Sequence, residues 1–359
     1  MQFKIPKVGK GIALFTYILN GFLATVLIAG TVVSSTYASV ISVFFDQDTF
    51  KLVNPGKSYY ESDYVSHTEY IKYEKRLAQQ IVEEGLVLLK NDDVLPLAKE
   101  SKLSLFGQNS VDFVYGGGGS GAVDTSKAAT LKDSLEAADF VVNETLWDFY
   151  KTGPGSSYRK KMPNTAGNGP FEVNEVPQSV YTQTVKNSYA NYDDAAIISI
   201  GRAGGESKDI PLEDLPTGVN YLQVDPNEMA MIDHVVENFN TVILIVNANN
   251  VMELGFLEDA KYSNTKAVLS VGGVGQEGIL AIGKILNGEV NPSGRLVDTY
   301  TYSNFSAPSI MNFGDYTMPN NPNEYRGNTR NFNKYLVYQE GIYVGYRYYE
   351  TRYEDKVMN

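Results

Sequence analysis

Glu206 lies in the glycine-rich stretch GRAGGESKD, directly after an apolar run at residues 195–200. In doubly wound α/β sheets, ligands bind beyond the carboxyl ends of the strands, so a carboxylate at this place can face a ligand. It could act as a general acid if partial burial or a second carboxylate raised its pKa. A glutamate in a loop is more often a solvated surface charge, and the stretch alone leaves both interpretations open.

A second candidate is the glycine loop YGGGGSGAVD at residues 115–124. Gly116, Gly118 and Gly121 match the spacing G-x-G-x-x-G, but a dinucleotide site needs that motif directly between a strand and a helix. Here the preceding apolar run ends about ten residues earlier, and no Lys-Ser or Lys-Thr pair follows. The loop therefore does not indicate nucleotide binding. Its glycines would either let a ligand approach the backbone or permit a tight turn.

If the protein is an enzyme, its composition leaves most of the acid–base chemistry to carboxylates. The chain has no cysteine, which excludes disulfides, thiolate metal sites and cysteine nucleophiles, and it has two histidines. His234 falls in the helical pattern EMAMIDHVVENF and is expected to be structural. We predict no metal and no cofactor. The net charge of −12 argues against nucleic acid as a partner.

Other polar residues near the predicted strand ends have ordinary explanations. Glu253 follows another apolar run, whereas Gln276 and Glu277 enter a helical pattern, where an acidic residue suits the helix dipole. Residues 287–300 are expected to form a turn that re-enters a strand.

The order of apolar segments predicts the elements that position these residues. Strands are expected at residues 103–106, 140–142, 195–200, 242–246 and 267–271, and helices at 77–89, 131–138, 178–189, 227–239 and 276–286. This alternation predicts an α/β fold with a mainly parallel sheet between two layers of helices. Residues 152–177 are expected to form a long loop.

The N-terminal segment predicts a membrane helix. Lys4, Lys7 and Lys10 precede a stretch without charge that extends to Asp46. Residues 11–33 would span about 34 Å as a helix, enough for a hydrocarbon core of about 30 Å. We expect a cytoplasmic tail at 1–10, a single transmembrane anchor at 11–34, a linker at 35–67 and an extracellular domain from 68. The alternatives are a signal peptide cleaved after Ala38 and a buried core helix.

Most of the chain resembles glycoside hydrolase family 3. The resemblance covers about residue 70 to the end and is carried by six motifs in order: EEGLVLLKNDDVLPL, GGGGSG, IGRAGGESKD, ENFNTVILIVNANNVMELGFL, GGVGQEG…AIGKILNGEVNPSGRLVDTY and EGIYVGYRYYETRYED. It implies that residues 68–359 form that family's six-stranded α/β sandwich domain.

The resemblance also implies roles for individual residues. In the family, a TIM barrel supplies an aspartate nucleophile and the sandwich supplies a glutamate acid/base, in a loop that commonly reads Gly-Glu-Gly. Glu206 takes that place, although Ser207 stands where the family has the second glycine. The glycine loop corresponds to the family loop that leans over the sugar pocket. The implied substrate contacts are Arg202, Asp209, Gly118, Gly119 and Ser120.

The barrel has no counterpart ahead of the sandwich, which resembles the permuted subgroup whose barrel follows. We therefore expect the nucleophile to lie outside residues 1–359 and these residues alone to be inactive. The expected function is the N-terminal part of a retaining, exo-acting β-glucosidase that acts on glucosides or short oligosaccharides. The alternative is a membrane-tethered sugar-binding or scaffold module without catalysis.

Overall fold

A computed structural model describes residues 9–37, 62–160, 170–206, 209–314, 316–317 and 334–352. The chain divides into two units, residues 1–65 and 66–359. Helix α1 of the first unit extends over Lys10–Thr36. The hydroxyls of Thr16, Thr25 and Thr31 each donate to the carbonyl four residues earlier. By length and composition α1 could cross a membrane, but a signal sequence would have the same properties. The linker predicted at 35–67 lies mostly outside the described residues.

The second unit contains helices and short strands in alternation. Its strands are β1 Val87–Asn91, β2 Lys102–Phe106, β3 Val141–Val142, β4 Ala195–Arg202, β5 Val242–Ala248, β6 Thr265–Val271, β7 Tyr316–Thr317 and β8 Lys334–Tyr335. Its helices are α2 His67–Gly85, α3 Leu131–Ala137, α4 Glu144–Lys151, α5 Gln183–Ser188, α6 Pro226–Asn238, α7 Gly275–Gly278, α8 Leu280–Leu286, α9 Pro308–Met311 and α10 Tyr346–Thr351.

The central sheet has six strands in the order β1-β6-β5-β4-β2-β3. All neighbours are parallel except β1 and β6, which pair antiparallel, so the sheet is mixed. Every residue of β4 and β5 is buried, as expected for strands covered on both faces. The core therefore lies on both sides of this pair, and the predicted α/β sandwich is confirmed.

Strand β1 was predicted as helix, and that prediction is wrong. Leu88 and Leu89 continue the apolar spacing of α2, but the helix ends at Gly85 and Leu86 already has extended backbone angles. From Val87 the chain pairs with β6, with Val87 opposite Ser270. A short buried apolar run fits the periodicity of either element, so the pattern could not separate them.

Other predicted boundaries also change. The helix expected at 178–189 is broken into a 3-10 turn, α5 and a second 3-10 turn, and the one at 276–286 divides into α7 and α8. Helix α4 was not predicted. Residues 289–300 form no helix or strand, so the strand expected there is absent. Part of the loop predicted at 152–177, residues 161–169, lies outside the described residues.

The strand order reverses between β2 and β4. From β2 the chain goes to β3 at one edge and then returns to β4 on the other side of β2, after which β5 and β6 follow outward. In open α/β sheets this reversal opens a crevice at the carboxyl ends of the two strands, where ligands bind. The glycine loop follows β2 and the Glu206 loop follows β4, so both leave the sheet at this crevice.

Candidate active site

The two loops are joined by backbone hydrogen bonds. Gly118 N donates to Gly204 O at 2.9 Å, and Glu206 N donates to Gly118 O at 3.3 Å, which forms a parallel bridge between Gly118 and Gly205. A Cβ on Gly205 would lie 2.9 Å from Gly118 Cα and N. Only glycine permits this approach, which is the physical reason for a glycine at position 205.

The side chain of Glu206 points at the glycine loop. Its Oε2 accepts a hydrogen bond from Ser120 N at 2.9 Å and another from Ser120 Oγ at 2.7 Å. Among the described residues, no hydrogen bond is formed by Oε1. The carboxylate is exposed, so it lies at the mouth of the crevice and not in the packed interior.

The pKa of Glu206 lies below its ordinary value. The hydrogen bond from the Ser120 backbone is the largest cause and the bond from the Ser120 hydroxyl is the second, because both stabilise the charged form. A general acid needs a shift in the opposite direction. The described loops therefore hold Glu206 as a carboxylate, the form suited to a base.

Arg202 does not face the crevice, which corrects its prediction as a substrate contact. The residue is 1% exposed, and its guanidinium donates to both oxygens of Glu228, at 2.8 and 2.6 Å. Its remaining donors reach the carbonyls of Gly201, Tyr221 and Gln223. A residue with this many internal partners anchors the base of the Glu206 loop to α6, and its donors are unavailable to a ligand.

Asp209 is exposed and lines a groove beside the Glu206 loop. The groove has a volume of about 380 Å³, and its walls include Gly204, Gly205, Asn250, Phe305 and Phe313. The groove thus presents a carboxylate, an amide group and two aromatic rings. Asp209, Gly118, Gly119 and Ser120 are thus all near the crevice, whereas Arg202 is below it.

Two buried asparagines that the sequence did not single out position the glycine loop. Asn109 donates to Ser199 Oγ at 2.8 Å and to Asn247 Oδ1 at 3.2 Å. Asn247 also accepts from Val114 N at 2.7 Å and donates to Val114 O at 3.0 Å. This network connects β4 and β5 to the chain just before the glycine loop. Asn247 opens the motif NANN, a polar interruption at a strand end that could have suggested such a role.

A buried carboxylate lies behind that network. Glu175 is 3% exposed and accepts hydrogen bonds from Gln108 N and Val176 N, at 2.7 and 2.8 Å. Burial raises the pKa of Glu175 to about 8. Burial also lowers the pKa of Lys160, which contacts Asn109, to about 8. Both residues come from the segment predicted only as a loop, where no periodic pattern marks a buried position.

The remaining polar candidates have structural roles. Glu253 accepts from Asn304 N at 2.7 Å and from Gln223 Nε2 at 2.9 Å, and Glu277 pairs with Lys75. His234 packs between Tyr181 and Tyr189, with ring centroids 5.8 Å from each, and burial lowers its pKa. Within the described ranges, no three His, Cys, Asp or Glu residues are grouped so that they could hold a metal ion.

The fold and the crevice define an α/β sandwich that presents the Glu206 carboxylate at the point where the strand order reverses. The model of the glycosyl hydrolase family 3 C-terminal domain matches residues 86–346. The chain therefore belongs to glycoside hydrolase family 3 and carries the C-terminal domain of that family.

Similar proteins include a β-glucosidase of Ruminococcus albus, 32% identical over 285 residues that make up 78% of this chain. β-Glucosidase A of Butyrivibrio fibrisolvens is 32% identical over 290 residues, 75% of this chain. Among solved structures, a β-glucosidase from Paenibacillus barengoltzii matches with a TM-score of 0.63 and 29% identity, over 79% of this chain and 28% of that one. The chain spans only 27% and 31% of the two relatives named first.

Proposed function

We propose that residues 66–359 supply the general acid/base, Glu206, to a retaining β-glucosidase. The observation that carries the proposal is the position of Glu206, exposed at the switch point of the sheet and held by the glycine loop through Ser120. The names of the relatives support the substrate class, a β-glucoside. Asp209 and the backbone at Gly118 and Gly119 would line the leaving-group side of the pocket.

The reaction would need a second carboxylate on the opposite face of the sugar. In the first step that carboxylate attacks the anomeric carbon while Glu206 protonates the departing oxygen, and a glycosyl-enzyme forms. In the second step Glu206 takes a proton from water, which then releases the sugar with its original configuration. The two carboxyl groups of a retaining enzyme lie about 5–5.5 Å apart.

The approach of the nucleophile would raise the pKa of Glu206, which the Ser120 hydrogen bonds lower in the described residues. A second carboxylate at that distance would raise the pKa of the acid, because two neighbouring negative charges repel. No other carboxylate in the described parts of the chain is among the causes of the shift at Glu206. The fold that closes the crevice would bring the nucleophile and raise this pKa, which turns the carboxylate into an acid.

The 359-residue chain alone is expected not to hydrolyse glucosides, because one carboxylate cannot attack the sugar and protonate its leaving group from opposite faces. The measurement is release of nitrophenol from an aryl β-glucoside by the purified chain, beside a β-glucosidase of known activity as the positive control. A burst or a steady rate above buffer would contradict the proposal of a separate nucleophile.

The second candidate function is a sugar-binding or scaffold module, which the low pKa of Glu206 also permits. Calorimetry with glucose and cellobiose distinguishes the two. A module would bind sugar tightly in the chain alone. The catalytic proposal expects weak binding to the chain alone, since only one wall of the pocket is present.

We further propose that α1 anchors the protein in the cell membrane, with the sandwich domain outside. The helix is 27 residues long and has no charged residue after Lys10, its first residue. Lys10 and the basic residues at positions 4 and 7 favour a cytoplasmic N-terminus.

The chain is therefore expected to remain in the membrane pellet after an alkaline carbonate wash, whereas a version that begins at residue 62 should be in the supernatant. Mass spectrometry of the pelleted protein should find peptides from residues 1–37. A mature protein that starts near residue 39 would instead identify the segment as a signal peptide.

A further inference from the structure

We propose that Ser120 is a positioning residue that assigns different tasks to the two oxygens of Glu206. Ser120 fixes Oε2 and leaves Oε1 as the oxygen that gives and takes the proton, and it favours the charged form of the carboxyl group. The inference rests on the proposed acid/base role of Glu206 and concerns how that residue is controlled.

The geometry gives Ser120 a stronger hold on Glu206 than a single surface contact would. Both of its donors, N at 2.9 Å and Oγ at 2.7 Å, converge on the same oxygen. Two donors from one residue hold the position of Oε2. The backbone bridge between Gly118 and Gly205 keeps the two loops in register, so the contact is supported from below.

Gly119 makes this arrangement possible. Its φ of +70° is readily adopted only by glycine, and a Cβ there would lie 2.6 Å from Glu206 Cβ and 2.7 Å from Oε2. The loop thus turns at Gly119 so that the carboxylate rests on its backbone. Gly121 has no such constraint, because a Cβ there would meet no atom of the described residues within 4 Å.

Ser120 affects the reaction through the protonation state of Glu206. Hydrogen bonds donated to a carboxylate are stronger than those donated to the neutral acid, so Ser120 favours the deprotonated form. That form is the base of the second step. The first step needs a proton on Glu206. Oε1 forms no hydrogen bond with the described residues, so it can carry this proton while both Ser120 bonds to Oε2 stay in place. Ser120 should therefore slow protonation of the leaving group at high pH and keep Glu206 deprotonated for the second step at lower pH.

Replacing Ser120 with alanine should raise the pKa of Glu206, because the hydroxyl donor is lost. The pKa is measured by NMR on the full chain in detergent micelles, with ¹³C-labelled glutamate carboxyl groups and with Glu206→Gln to assign the signal. Ser120→Thr keeps a hydroxyl and should leave the pKa low. A pKa at or above the ordinary value in the unmodified chain, or one unchanged in Ser120→Ala, would overturn the proposal.

A second pair of variants tests the geometry without removing Ser120. Gly119→Ala should raise the pKa of Glu206, because the new methyl group displaces its side chain, whereas Gly121→Ala should leave it unchanged. Equal effects of the two substitutions would contradict the proposed contact.

In the assembled enzyme, the high-pH limb of kcat/KM should move to higher pH in Ser120→Ala, because that limb reports the acid. A limb that stays in place would refute a role for Ser120 in the reaction. If the NMR pKa depends on Ser120 while Glu206→Gln leaves turnover unchanged, the contact stands and the acid/base proposal alone fails.

Discussion

Replacing Glu206 with glutamine in the enzyme assembled with its nucleophile domain is expected to lower turnover of a glucoside with a poor leaving group by about 10²- to 10⁴-fold, the range that general acid catalysis contributes. Glutamine has nearly the same shape but cannot give up or take a proton. An activated aryl glucoside needs little protonation, so its glycosylation step should survive and a burst of phenol should precede a slow steady state.

A matched substitution separates this effect from a general loss of charge. Glu213 is another exposed carboxylate in the segment after β4, and Glu213→Gln should leave both substrates unaffected. If Glu206→Gln and Glu213→Gln turned over the glucoside with the poor leaving group at equal rates, a residue other than Glu206 would have to be the acid.

Replacing Glu228 with alanine should lower the free energy of unfolding by about 3–5 kcal/mol, the cost of leaving a buried charge without its partner. The side chains of Arg202 and Glu228 are 0% and 3% exposed, and the pair is bidentate. Burial acts to lower the pKa of Arg202, but the charge and hydrogen bonds of Glu228 outweigh it, so the guanidinium stays charged. Urea unfolding of the full chain in mild detergent measures the effect.

The control for this variant is a group of two ion pairs near the surface that share Lys132. Lys132 bridges Glu136 and Glu144 at 2.9 and 2.8 Å, but both carboxylates are substantially exposed. Lys132→Ala should cost less than about 1 kcal/mol, because solvent screens exposed pairs. Equal losses in Glu228→Ala and Lys132→Ala would contradict the assignment of Arg202 as a buried anchor.

The α/β fold could be predicted from the sequence because parallel strands that are buried on both faces consist of nearly continuous apolar residues. The runs at 195–200 and 242–246 correspond to β4 and β5, in which every residue is buried. The same kind of pattern gave the wrong prediction at Leu88 and Leu89, because a short apolar run at the edge of a sheet fits a helix equally well. Only the pairing of β1 with β6, a contact distant in sequence, decides between the two.

The site could be predicted only as far as backbone position determines it. Glu206 and the glycine loop follow neighbouring strands, so their proximity could be expected from strand order once the resemblance was recognised. The direction of a side chain could not. Arg202 is the last residue of β4, and its side chain is buried against Glu228. Asp209 lies in the loop after the strand and lines the groove. The hold of Ser120 on Glu206 depends on the φ of Gly119, which no residue pattern specifies.

The most direct test of the central claim is the product formed by Glu206→Ala in the assembled enzyme with an activated aryl β-glucoside and sodium azide. Without a base, water attacks the glycosyl-enzyme slowly, whereas azide needs no base. We expect azide to accelerate turnover and to yield β-glucosyl azide. Turnover insensitive to azide, with glucose as the sole product, would show that Glu206 is not the acid/base.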